Sequence, residues 1–492
     1  MKSSLLNKNK NISLEFIMIA IIVSIINSFF YESFAVMTVL TMIEVLVLLK
    51  LFFNNQDLKY LGYYMIFLST SLESAAFVGV DEFYGFKNFR IAGVNLGVVF
   101  LLLIFFKLLF NGSINELFRL KGTIKKFTIW ILTITTIAFF VGLVHLLFND
   151  NNVATNINSF NMFIEASYIF ILVLLEVLVI VTIIHSNTKE IYIIKQFLFA
   201  LVIAIAVTML SSYIFGNYGN RGGIESLQIS NLVMLLICSI LLPLYQEFNK
   251  LEKILLTFSG IVIFLLALIF NTNGKMIIVA VLVPFIILGI LLRSGRYKTL
   301  IITTLGSIIL AIPIFTILLP YVVSVNLLFA IKFEQVTSAF LFWKDDWFST
   351  MPASPKTRIS QFLNIVAEYF NKPWSLLTGK GYLGTIRDNL NIFGPLTEFE
   401  YSKWELDNKS YFRLHETFNT LLLTNGLIGL LFFLWMIKVI LTKIHLSPWL
   451  MVGGLWFILF YAYSVTISIF GVVCLIVGLI DIEVQKKTKK IK

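Results

Sequence analysis

Apolar runs long enough to carry a helix across ~30 Å of hydrocarbon, about 20 residues each, follow one another from Ile12 to Asp481. They predict about fourteen spans, near residues 14–31, 34–53, 60–80, 90–110, 127–148, 161–185, 197–215, 230–246, 254–271, 276–292, 299–319, 417–437, 448–464 and 466–482. The period-two alternation of a membrane barrel is absent. The first run, Ile17 to Phe30 after Lys2, Lys8 and Lys10, is too long for a signal peptide, and no small-x-small cleavage site follows it. The expected fold is an all-α polytopic membrane protein.

The pattern breaks once. Between Pro320 and His415 the chain turns rich in Trp, Tyr, Asp, Glu, Lys and Arg, and the break closes on Arg413-Leu414-His415-Glu416. This divides the chain into 1–319 with eleven spans, a large loop at 320–416, and 417–492 with three spans and a basic tail. A single large polar loop in such a protein is the natural seat of its chemistry.

Composition agrees with the pattern. The 492 residues are 58% hydrophobic and 13% charged, with mean hydropathy +0.91; soluble domains carry about 25% charged residues. The net charge of +11 follows topology rather than nucleic acid. With the N-terminus in the cytoplasm, the inside segments hold 24 of the 38 Lys and Arg, and the short outside loops hold four: Lys87, Arg90, Arg221 and Lys275. Both termini are then cytoplasmic and the large loop faces outward. Arg221 and Lys275 stand on the side that disfavours basic residues, which suits binding of an anion.

Glu44, Glu73, Glu165 and Glu176 fall in or near spans, where a carboxylate is costly. They read either as a proton or ion relay or as packing pairs between helices. Cys238 and Cys474 sit inside apolar runs and behave as small hydrophobes rather than a disulfide framework. No histidine or cysteine spacing suits a metal, and there is no phosphate-binding loop for ATP. Neither a metal nor a cofactor is expected.

Within the loop, Trp343-Lys344-Asp345-Asp346-Trp347 sets aromatic rings beside carboxylates. Sugars suit such a pair of surfaces, and so does the headgroup level of a membrane. Pro355 to Phe370 reads as a helix with Ile359, Phe362, Ile365, Val366 and Tyr369 on one face and Arg358 at its start, on another. The glycine-rich Thr378-Gly379-Lys380-Gly381-Tyr382-Leu383-Gly384 reads as a plain loop, or as a backbone cradle for an anion.

The segment His415-Glu416-Thr417-Phe418-Asn419 leading to Asn425-Gly426-Leu427-Ile428-Gly429 resembles the O-antigen polymerase and ligase superfamily (Wzy-type). There, a histidine closes the large outward loop and an apolar helix with Gly-x-x-Gly follows. Arg358, the Leu377-x-Gly379-x-Gly381 turn, Asn220-Arg221-Gly222-Gly223 and Asn273-Gly274-Lys275 stand in the corresponding order. The resemblance covers roughly residues 200–440. Glu416 stands where Asn is common, and Lys275 where Arg is usual.

The resemblance implies a GT-C-like glycosyltransferase. Its donor would be an undecaprenyl-pyrophosphate-linked oligosaccharide, and its acceptor a sugar hydroxyl of another lipid-linked unit. Arg221, Lys275 and Arg358 would stabilise the departing pyrophosphate, and His415 would accept the hydroxyl proton. Glu416, Trp343, Asp345, Asp346 and Trp347 are candidate substrate contacts. Membrane lipid, a flippase and a chain-length regulator of the same pathway are the expected partners, and nucleic acid is not. A ligase of the same superfamily and a flippase or exporter for lipid-linked sugar remain open alternatives.

Overall fold

The computed structural model describes residues 2–71, 84–91, 94–147, 159–186, 191–214, 250–269, 347–351, 353–371, 373–393, 401, 403–412, 414, 416–461 and 465–491. The spans expected near 230–246, 276–292 and 299–319 lie outside the described residues. The rest is mostly helical. In chain order the helices are α1 (Lys2–Phe30), α2 (Phe34–Phe53), α3 (Asp57–Thr70), α4 (Leu96–Phe110), α5 (Gly122–Leu147), α6 (Ser159–Ser186), α7 (Ile191–Ile214) and α8 (Lys250–Ile269). The loop supplies α9 (Trp347–Thr350), α10 (Ala353–Asn371), α11 (Pro373–Thr378) and α12 (Lys403–Asn408). After it come α13 (Thr417–Lys443), α14 (Pro448–Phe460) and α15 (Val465–Ile491).

Among the described residues, four helices are long and apolar enough to cross a membrane: Phe34–Phe53, Gly122–Leu147, Ala166–Ser186 and Thr417–Leu446. Leu96–Phe110 and the 3-10 turn Ser113–Arg119, bent by 76°, together make a fifth if they form one span. Leu14–Phe30, Ile193–Thr208 and Pro448–Leu459 are apolar but shorter. These helices have the make-up of a multi-pass membrane protein.

Two expected spans differ in detail. The run expected at 90–110 opens as a short antiparallel hairpin, β1 (Arg90–Ile91) paired with β2 (Val94–Asn95). The helix starts only at Leu96, where the Asn95 side chain accepts the Gly97 amide at 2.8 Å and caps it. In the run expected at 60–80, α3 ends at Thr70, and residues 72–80 lie outside the described residues. The next residue, Ser71, is extended, and the hydroxyls of Thr70 and Ser71 bond back to Ile66 and Phe67 carbonyls at 2.8 Å. Such back-bonding competes with continuation of a helix.

The bundle is held by apolar packing with polar ties near its ends. Phe16 of α1 meets Phe197 of α7 edge to face, with ring centroids 4.2 Å apart. Tyr60 and Tyr64 of α3 donate to the Phe100 and Gly97 carbonyls of α4 at 2.7 and 2.8 Å. Lys107 pairs with Asp57 at 2.5 Å, and Lys195 with Asp481 at 3.2 Å. Asp481 also accepts from Ser447 at 2.7 Å, and Glu483 accepts the Thr123 amide at 3.0 Å. These ties join segments that the alternation of spans puts on one side.

Candidate functional site at the seam of the loop

The described part of the loop is a folded cap rather than a free polar strand. Helix α10 forms because its apolar residues recur at helical spacing and Pro355 falls in its first turn, where a missing N–H costs nothing. Ile365 and Tyr369 pack with Ile386, Tyr401, Tyr411 and two residues of α13, Leu422 and Leu423. Ile386 and Tyr411 exchange amide bonds of 2.8 and 2.9 Å, which closes the cap. Asp388 accepts from the Ile392 and Phe393 amides, both at 3.0 Å. Burial, followed by the charges of Asp388 and Glu405, raises the Tyr411 phenol above its usual pKa. This cap and α13 share one apolar core.

Helix α13 is broken at Gly426, which sits at φ 57° and ψ −141°. A break in a span leaves carbonyls without helical partners, and lipid cannot satisfy them. The glycine-rich turn does so. Lys380 donates its amide to Leu423 at 2.8 Å, and Gly381 to Thr424 at 3.1 Å. The Tyr369 hydroxyl reaches the Leu422 and Leu423 carbonyls at 2.7 and 3.0 Å. On the other flank, Tyr382 donates its amide to Ala138 of α5 at 3.0 Å, and its ring stacks on Phe170 of α6. The Asn425 side chain donates to the Ile134 carbonyl at 2.6 Å. The turn is therefore wedged between α5 and the broken α13.

The wedge settles one expectation. The amides of Gly379, Lys380, Gly381, Tyr382 and Gly384 all point to carbonyls, so this turn is no cradle for an anion. Lys380 is 1% exposed. Its ammonium pairs with Glu368 and donates to the Thr385 carbonyl at 2.7 Å. The sequence carried no direct sign of this pair, because the two residues lie in different elements, Glu368 in α10 and Lys380 in the turn after α11.

One expected site residue, Arg358, lies at the seam itself. Arg358, in α10, pairs through Nε with Glu416 Oε1 at 2.9 Å. Glu416 is the residue that precedes α13, and its carbonyl accepts the Thr420 amide at 2.9 Å. Asn419 donates its side-chain amide to the Arg358 carbonyl at 2.9 Å. Arg358 is thus held at its backbone carbonyl by Asn419 and at its guanidinium by Glu416, and the side chains of Arg358 and Glu416 are partly open to solvent. Among the described residues only Nε is engaged, and the terminal nitrogens have no partner there.

The other expected residues are more scattered. Trp347 opens α9, and its neighbour Phe348 lies 5.4 Å below the Lys356 ammonium. His415, Arg221, Lys275, Trp343, Asp345 and Asp346 lie outside the described residues. Among the carboxylates expected in spans, Glu44 is buried and neither of its oxygens has a hydrogen-bond partner. Glu176 is also fully buried, Glu73 lies outside the described residues, and nothing is described of the Glu165 side chain. Among the described residues, no group of three His, Cys, Asp or Glu could hold a metal ion. No protein-family model, curated protein or solved structure matches the chain.

Proposed function

We propose that this protein is a polysaccharide polymerase. It would transfer glycan from an undecaprenyl pyrophosphate carrier to a sugar hydroxyl of another lipid-linked repeat unit, at the outer face of a bacterial cytoplasmic membrane. In this reading the chain crosses the membrane about fourteen times, with both termini in the cytoplasm. The observation that carries the reading is the clamped Arg358, held by Glu416 one residue from His415, where a polar cap meets a span. A guanidinium fixed there with its fork open suits a diphosphate.

The reaction needs few parts. The acceptor hydroxyl attacks C1 of the donor sugar as the bond from C1 to the pyrophosphate oxygen breaks. His415 takes the hydroxyl proton. Negative charge grows on the departing polyprenyl pyrophosphate, and Arg221, Arg358 and Lys275 stabilise it. Glu416 orients Arg358 and tempers its charge before substrate arrives.

The test is reconstitution with a lipid-linked repeat unit. The wild type should yield a ladder of products, and His415→Ala and Arg221→Ala should each abolish it. Movement of the lipid-linked unit across the bilayer without new glycosidic bonds would make the protein a flippase instead.

A further inference from the structure

The loop does more than cover the seam. We propose that α11 and the turn after it, residues 373–382, are re-entrant: they dip into the hydrocarbon of the leaflet on the loop side and present Trp374 and Leu377, with Phe370 near the end of α10, to lipid.

The depth follows from partners on two spans. Ala138, which accepts from Tyr382, lies about nine residues, or ~13 Å, inside the Leu147 end of α5. Thr424, which accepts from Gly381, lies about seven residues, or ~10 Å, inside the Thr417 end of α13. A Cβ built on Gly381 would meet the Gly142 nitrogen at 2.2 Å, and one on Gly426 the Leu376 carbonyl at 2.4 Å. Half of a bilayer's hydrocarbon is about 15 Å thick. The turn therefore sits within it, well below the mouths of both spans.

Irregular backbone at that depth is tolerated only where protein buries it. Residues Gly379 to Ile386 are all buried, and every amide of the turn noted above has a carbonyl partner. Within residues 373–382 the charged residue is Lys380, and Glu368 neutralises it. In contrast, Phe370 is 84% exposed, Trp374 89% and Leu377 56%. Leu363, seven residues before Phe370 on the same face of α10, is also exposed. Rings left this bare would be a liability in water. At this depth they continue the exposed apolar flanks of the same two spans: Phe140 and Val144 on α5, and Leu427 and Leu431 on α13. The occupant of this ridge is the acyl-chain region of the bilayer.

The full-length protein in vesicles of phosphatidylcholine brominated on its acyl chains tests this. The fluorescence lost on Trp374→Phe isolates one of the eight tryptophans. That component should lose most of its intensity to brominated lipid and almost none to aqueous iodide. Phe370→Trp in the Trp374→Phe background provides a second probe with the same expectation, should the first difference prove too small to resolve. Quenching by iodide, or by neither agent, would overturn the proposal. Neither result bears on glycan transfer, so this inference stands or falls apart from the proposed activity.

Discussion

The Lys380 amide donates to the Leu423 carbonyl across 2.8 Å, and so joins the tip of a polar loop to the interior of an apolar span. The bond exists because α13 gives up its regular ladder at Gly426. A helix that breaks inside a membrane must find partners for the carbonyls it releases. The loop turn offers its amides in return, and two otherwise unfavourable pieces of backbone satisfy one another.

The two glycines of this contact should tolerate nothing larger. Gly381 sits at φ +69°, and a Cβ there would meet the Ala138 carbonyl oxygen at 2.6 Å as well as the Gly142 nitrogen. The left-handed conformation alone costs a non-glycine residue roughly 1–2 kcal/mol, and the overlap with backbone adds to it. Gly381→Ala and Gly426→Ala should both lower the melting temperature and the monodisperse yield in detergent. An unchanged melting curve for Gly381→Ala would count against the wedge.

Lys380 and Glu368 should behave as a buried pair. Lys380→Met leaves Glu368 without its partner, at a cost of about 3–5 kcal/mol. The double variant Lys380→Met with Glu368→Leu removes both charges and should recover most of that loss. A double-mutant cycle read by thermal unfolding measures the coupling. If the two losses simply added, the pair would contribute no coupling.

Arg358 and Glu416 should behave differently, because their side chains are 31% and 39% exposed. Exposed pairs contribute roughly 0–1 kcal/mol, so Arg358→Ala and Glu416→Gln should leave unfolding nearly unchanged. On the proposed function, glycan polymerisation should nevertheless fall sharply in Arg358→Ala. Arg358→Lys should restore only part of it, since an ammonium keeps the charge but loses the fork. Comparable product ladders in all three variants would remove Arg358 from the site.

Glu44 lies buried on α2, 2% exposed, and Ser24 and Asn27 of α1 and Thr41 of α2 are likewise buried, with side-chain polar atoms that have no partner among the described residues. A carboxyl in this setting destabilises rather than holds the bundle. Glu44→Gln should leave thermal stability unchanged, and Glu44→Leu should raise it. A drop in both would show that the carboxyl holds a group the helix hairpin needs.

Much of the architecture was legible in the apolar pattern. The ends of α2, α5 and α6 fall close to the expected spans, because a bilayer demands long uninterrupted apolar helices and turns are polar. The amphipathic α10 was legible for the same reason, through the spacing of Ile365 and Tyr369. Arg358 could be singled out as a cation at the start of that helix, but not as the partner of Glu416, some sixty positions away. The hairpin at 90–95 was hidden because its residues, taken alone, continue an apolar run. The break at Gly426 was hidden as well: a glycine in an apolar helix is equally a packing site or a kink, and only the neighbouring carbonyls decide.

The sequence by itself determined a run of long apolar helices with the make-up of a multi-pass membrane protein, since hydrocarbon length is a local demand on the chain. Only the tertiary structure decided where the polar loop goes. Whether the amides of Gly379, Lys380 and Gly381 face an anion or a broken helix depends on which carbonyls come within 3 Å of them, and no local pattern encodes that. Long-range satisfaction of backbone polar groups turns part of a loop that reads as outward-facing into a wedge between α5 and α13.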